Sequence, residues 1–99
     1  MKINDYINEI VTICRKHDVA RLSVFGSVLT DQFNASSDID FLVMFQNQKI
    51  KGSFDRYFNL KEDLESLLNQ SVDLVCEHQI SNPYFKKNID QTKQVLYAA

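Results

Sequence analysis

Ile3, Ile7, Ile10 and Cys14 recur at steps of four and three residues, the spacing that puts side chains on one face of a helix. The pattern predicts an amphipathic helix over 3–17, with Asn4 or Asp5 near its start. Leu22-Ser23-Val24-Phe25 then reads as a short strand that delivers Gly26 to a turn. Residues 27–32 read as a turn or two of helix, and Asn34-Ala35-Ser36-Ser37 as a loop by composition. The strongest strand signal runs from Asp38 to Phe45. There Ile39, Phe41, Val43 and Phe45 point one way, and Asp38, Asp40, Leu42 and Met44 the other. Apolar residues on both faces beyond the two acids predict a central strand, covered above and below.

The polar stretch from Gln46 to Ser53, which holds Gly52, reads as a loop. Phe54, Tyr57, Phe58, Leu64, Leu67 and Leu68 then form a helical stripe over 54–69, interrupted by Lys61, whose aliphatic stem can lie along it. Val72-Asp73-Leu74-Val75 predicts a third strand, with Asp73 facing away from Val72 and Leu74. Asn82-Pro83 opens a last helix: Asn suits the cap and Pro the first helical position. Phe85, Ile89, Thr92 and Leu96 continue its expected buried face. Helices alternating with strands in this order predict a small α/β protein, a mixed sheet packed against helices.

Ninety-nine residues suffice for a single domain over 1–99 with a single core, and leave no room for a second module. One proline, two glycines and an ordinary apolar share argue against disorder. A formal charge of −2 offers no broad basic surface, so stable nucleic-acid binding is not expected. No apolar run approaches membrane-spanning length, and Asn4, Asp5, Asn8 and Glu9 break any signal-peptide core. Cys14 and Cys76 fit neither a metal spacing nor a disulfide framework, and read as small apolar residues of a reduced, cytoplasmic protein.

The chemistry gathers at Gly26-Ser27 and Asp38-Ile39-Asp40. Alternation puts Asp38 and Asp40 on one side of a strand, about 7 Å apart. Two carboxylates held in parallel repel unless a cation sits between them. A hard, oxygen-seeking ion such as Mg²⁺ is the natural occupant, and it usually brings a phosphate. The Gly-Ser turn offers backbone N–H groups and a hydroxyl to phosphate oxygens. Taken singly, Asp38 could cap a strand and Asp73 could be a surface acid on an edge strand. Taken together, acids flanked by Ile, Phe, Leu and Val must find a partner or lose their charge.

Gly26-Ser27, the paired Asp38 and Asp40, and the later Asp73 resemble the nucleotidyltransferases of the DNA polymerase beta superfamily. The small size is similar to its minimal nucleotidyltransferase (MNT) branch, known as partners and antitoxins of HEPN-domain proteins. The resemblance spans nearly the whole chain and implies a polymerase beta-like catalytic core. It implies Asp38, Asp40 and Asp73 as ligands of a two-metal Mg²⁺ site, with Gly26 and Ser27 binding the phosphates of ATP. Asp73 would also help accept the proton of the attacking hydroxyl. The implied activity is Mg²⁺-dependent transfer of AMP to a protein hydroxyl, a tyrosine on a HEPN-domain toxin. Many members continue after Gly-Ser with a basic run ending in Arg-Gly, whereas this chain reads Val28-Leu29-Thr30-Asp31. The alternative is therefore a catalytically weak or inactive nucleotidyltransferase-fold module that neutralises its partner by contact. A third reading is an aminoglycoside-type enzyme, against which the missing acceptor domain speaks.

Arg21 and Lys51 are candidate replacements for the family's cationic triphosphate contact. His17 and His78 read as surface or capping residues, and Lys86, Lys87 and Lys93 as a solvated face. Tyr57, Phe58, Tyr84, Phe85 and Tyr97 are expected mostly in the core, with a few left to a partner. Pairing of two copies would shield any apolar surface this small sheet leaves open.

Overall fold

The computed structural model describes residues 2–30, 37–46 and 53–99. The loop expected between Gln46 and Ser53, with Lys51, and the Asn34-Ala35-Ser36 loop fall largely outside them. A turn of 3-10 helix, Ile3–Tyr6, leads into α1 (Ile7–Lys16), followed by β1 (Val19–Phe25). The 3-10 turn Gly26–Leu29 precedes β2 (Ile39–Phe45), α2 (Ser53–Leu68) and β3 (Val72–Cys76). A short 3-10 turn, Glu77–Gln79, then leads to α3 (Pro83–Thr92) and β4 (Gln94–Ala98).

The four strands form one sheet in the order β3-β2-β1-β4. β1 runs antiparallel to β2 and to β4, whereas β2 and β3 are parallel, joined across one face by α2. The sheet is thus mixed, and β2 lies in its interior, as its two apolar faces require. Ile10 and Cys14 of α1, with Leu60, Leu64 and Leu68 of α2, bury against Leu22, Val24, Ile39, Phe41, Val43 and Leu74. The opposite face holds a smaller cluster: Phe25, Leu42 and Ile89, with Val75 and Ile80 packed on it. That unequal division matters for the site, because the thinly covered face is the one that carries the acids.

α1 and α2 both stop without glycine. Asp18 after α1 (φ 55°) and Asn69 after α2 (φ 51°) take the left-handed conformation that ends a helix, which Asp and Asn adopt more readily than other side chains. The end of α1 is also tied across to α2, where His17 Nε2 lies 2.6 Å from Asp63 Oδ2. The hydrogen bond with His17 holds the Asp63 carboxyl below its usual range, and Lys16 assists. His17 is therefore the capping residue expected and also a largely buried tether.

Two expectations are corrected at the C-terminus. The last helix ends at Thr92, where Lys93 turns to extended backbone (ψ 151°), and Leu96 belongs to a strand. Leu96 lies seven residues after Ile89, a spacing that a helix stripe and a strand beyond a turn both satisfy. Pairing with β1, Leu22 opposite Tyr97 and Val24 opposite Gln94, decides for the strand. Nor do Tyr84 and Phe85 serve the core: Tyr84 is 84% exposed and Phe85 44%, because α3 meets the sheet mainly through Ile89. The expected cap does form, with Asn82 Oδ1 accepting from the Tyr84 and Phe85 N–H groups at 2.9 and 3.2 Å. Asn82→Ala should lower stability by about 1 kcal/mol. An unchanged urea midpoint would show that α3 is held by its packing alone.

Candidate active site

The site is assembled by strand register. Asp40 is the direct partner of Asp73 across the parallel β2–β3 pair, and of Phe25 across the antiparallel β1–β2 pair. Register partners point their side chains to the same face, so Asp40 and Asp73 stand side by side on strands ~5 Å apart. Asp38, exposed just before β2 begins, falls on that face by alternation. The three sequence-predicted acids are therefore brought to one end of one face.

Backbone and side-chain bonds hold this end of the sheet in place. The Ile39 N–H donates to the Ser71 carbonyl at 2.9 Å, continuing the β2–β3 pairing beyond the strand ends. Glu65, reaching from α2, accepts from the Val72 N–H at 3.0 Å, and Gln70 Nε2 donates to the Ser37 carbonyl at 2.8 Å. Glu65 and Gln70 are positioning residues that sequence reasoning missed. Each acts on a backbone group brought near only by folding, so no periodicity announces it.

Gly26 closes the third side. Its backbone sits at φ +78°, in the left-handed region that disfavours a Cβ. A Cβ at this position would run into Asp40 Oδ2 and lie 3.3 Å from its Cγ. The sequence reading asked for glycine to leave room for phosphates; within the chain itself, the nearer reason is the Asp40 carboxylate. Ser27 follows in the same 3-10 turn.

The electrostatics agree with the placement. Burial pushes the Asp40 carboxyl above its usual range, and the charges of Asp73 and then Asp38 push it further. A divalent cation would relieve that repulsion, and carboxylate oxygens are the donors Mg²⁺ takes. The donor chemistry thus suits a hard cation. Among the described residues, no three His, Cys, Asp or Glu side chains are already drawn into the spacing of a metal centre.

Arg21 is not where a triphosphate contact would stand. It lies on β1 opposite Met44, four residues from Phe25 and so roughly 13 Å along the strand from the acids. Its Nη2 donates to Glu77 Oε1 at 2.6 Å. Lys93 is likewise engaged, at 3.0 Å from Asp90 and 3.8 Å from Glu77. Lys86 and Lys87 are exposed on α3, the solvated face expected of them. His78 is exposed as predicted, and no helix among the described residues is long and apolar enough to cross a membrane.

Comparison with known proteins places this geometry. Residues 8–99 match the family described as "Polymerase beta, Nucleotidyltransferase". A Methanocaldococcus jannaschii protein named as a candidate protein adenylyltransferase is 37% identical over 93 residues, covering 86% of this chain and 92% of its own length. Among solved structures, a candidate minimal nucleotidyltransferase superposes with a TM-score of 0.77 at 27% identity, covering 93% of this chain and 90% of that one. A chain of the complex between the tri-AMPylated Shewanella oneidensis HEPN toxin and its MNT antitoxin superposes with a TM-score of 0.67 at 20% identity. The match covers 97% of this chain and 72% of that one.

Proposed function

The chain belongs to the polymerase beta nucleotidyltransferase family, in its minimal branch, and from that premise we propose that it transfers AMP from ATP to a hydroxyl of a protein partner. The observation that carries the reading is the direct register of Asp40 with Asp73 beneath Gly26. Residues 1–99 would act as one nucleotidyltransferase domain. Asp38, Asp40 and Asp73 would hold Mg²⁺, which when bound neutralises triphosphate charge and stabilises the entering and leaving oxygens of an in-line displacement. The Gly26-Ser27 turn would take the phosphates. The acceptor oxygen forms a bond to the α-phosphorus, the bond from that phosphorus to the β-phosphate oxygen breaks, and pyrophosphate leaves. Asp73, exposed on the edge strand β3, would help accept the departing hydroxyl proton.

The acceptor we propose is a tyrosine of a HEPN-domain toxin, which makes this chain the antitoxin. Support comes from the M. jannaschii relative, named for protein adenylyltransfer, and from the S. oneidensis complex, whose HEPN toxin carries AMP. The thin cover on the acid face suits a macromolecular acceptor that brings its own walls. A contact-only antitoxin is the second reading, favoured by the engagement of Arg21 with Glu77, which keeps that cation from the acids. The deciding experiment incubates the chain and a co-purified HEPN-domain partner with ATP labelled at the α- or the γ-phosphate. Label moving to the partner from the α position alone supports transfer. Toxin neutralised without label from either position would leave the contact-only reading standing.

A further inference from the structure

Phe85 is an aromatic side chain on the sheet side of α3 that the sheet does not cover. It precedes Ile89 by four residues, so the two share one face of the helix. Ile89 is buried in one cluster with Phe25 and Leu42, which turns that face toward the sheet. Phe85 is nonetheless 44% exposed. Its ring meets Phe25 in a T-shaped contact, 6.3 Å between centroids and 74° between planes. Whichever ring presents its edge, at least one face of Phe85 is not against Phe25.

Strand register says what this ring stands beside. Phe25 is the direct partner of Asp40 across β1 and β2, with Cα atoms about 5 Å apart. It also leads straight into the Gly26-Ser27 turn. Phe85 is thus one ring away from the neighbour of both the acid and the phosphate turn. The other exposed aromatic side chains among the described residues lie elsewhere. Phe54 and Phe58 pack on each other on α2, which covers the opposite face. Tyr84 falls about 100° round α3 from Phe85 and is 84% exposed.

A phenyl ring has nothing to offer a triphosphate or a cation held by carboxylates. Its face suits a flat, neutral heteroaromatic group, by offset or edge-on stacking. A nucleotide whose phosphates rest on Gly26-Ser27 carries such a group one ribose away. Base–aromatic stacking needs no hydrogen-bond code, because every base presents a π-face. A leucine could fill the same space against Phe25 but would offer the base no ring.

We propose that Phe85 is the platform on which the adenine ring of the bound nucleoside triphosphate stacks. This role rests on the nucleotidyltransferase reading of the acid site and names the residue that binds the base. The test is titration calorimetry of the full chain with Mg²⁺ and two ligands that cannot transfer AMP. One is tripolyphosphate, which has no base; the other is an ATP analogue with a methylene bridge between its α- and β-phosphates. Phe85→Leu should bind the analogue about tenfold more weakly than the parent does, and tripolyphosphate as the parent does. Phe85→Tyr, which keeps a ring, should retain the parent's affinity for both. Equal weakening of both ligands in Phe85→Leu would make Phe85 a packing residue and overturn the proposal. Unchanged binding of both would overturn it too, and loss of a co-purified HEPN-domain partner instead would give the ring to a protein interface. A parent that binds neither ligand would remove the nucleotide site itself, and the stacking role with it.

Discussion

Asp40→Asn should reduce AMP transfer by at least ~10²–10³-fold, the loss that follows removal of one preorganised electrostatic group from a transition state. The chain should still fold and still bind its partner. Asn has nearly the shape of Asp, so the gap beside Gly26 stays filled, but it cannot supply the charge that a divalent cation requires. Stability should move the other way from activity. Folding raises the Asp40 carboxyl above its ordinary range, through burial and the neighbouring Asp73 and Asp38. Between its ordinary and its raised value the folded chain binds more protons than the unfolded one, so stability falls as pH rises through that window. Above the window the penalty is complete, and Asn removes it. Without divalent cation, thermal melting at neutral pH should therefore find Asp40→Asn at least as stable as the parent. Mg²⁺ should stabilise the parent and leave the variant unmoved. A variant that melts well below the parent would mark Asp40 as a structural acid, and one that keeps its transfer rate would remove it from the site.

Gly26→Ala should damage both stability and chemistry. A left-handed backbone costs a side chain roughly 1–2 kcal/mol, and the new methyl also meets the Asp40 carboxylate. A total loss of about 2–3 kcal/mol is expected, which for a chain of this size lowers the melting temperature by roughly 10–20 °C. Transfer should fall along with it, because Asp40 must swing off the line of the parallel pair to make room. The two contributions can be separated. In an Asp40→Ala background the carboxylate is gone and only the backbone cost remains, so Gly26→Ala should then cost about 1 kcal/mol less. Equal costs in the two backgrounds would show that Asp40 does not confine Gly26. A Gly26→Ala chain as stable and active as the parent would remove both reasons for glycine.

Activity and stability thus pull against each other at this end of the sheet. Asp40 would be easier to fold as a neutral group, and it sits where α3 leaves the face thinly covered. That is the arrangement expected of a site that gains its stability from ligands rather than from its own core.

Much of this was present in local order. The alternation from Asp38 to Phe45 determined that β2 is an interior strand with its acids on one face, because a period of two assigns every side chain once one is placed. The helical spacing of Ile3, Ile10 and Cys14, and of Leu64 and Leu68, marked buried faces of α1 and α2, whereas Phe54 and Phe58 of the same stripe stand exposed and Leu60, outside it, is buried. Gly26-Ser27 and the ordered acids Asp38, Asp40 and Asp73 were enough to name the family. What needed the tertiary structure was every relation between segments distant in sequence. That Asp73 shares a face with Asp40 depends on the β2–β3 register, which a slip of one residue would reverse. That Leu96 ends in a strand depends on β1 offering it an edge. Arg21 is withdrawn from the acids because folding brings it to Glu77, and Glu65 and Gln70 steady the site through backbone groups no pattern marks. Local sequence sets which way a side chain points on its own element, whereas the partner it meets depends on packing between elements, which only the folded chain resolves.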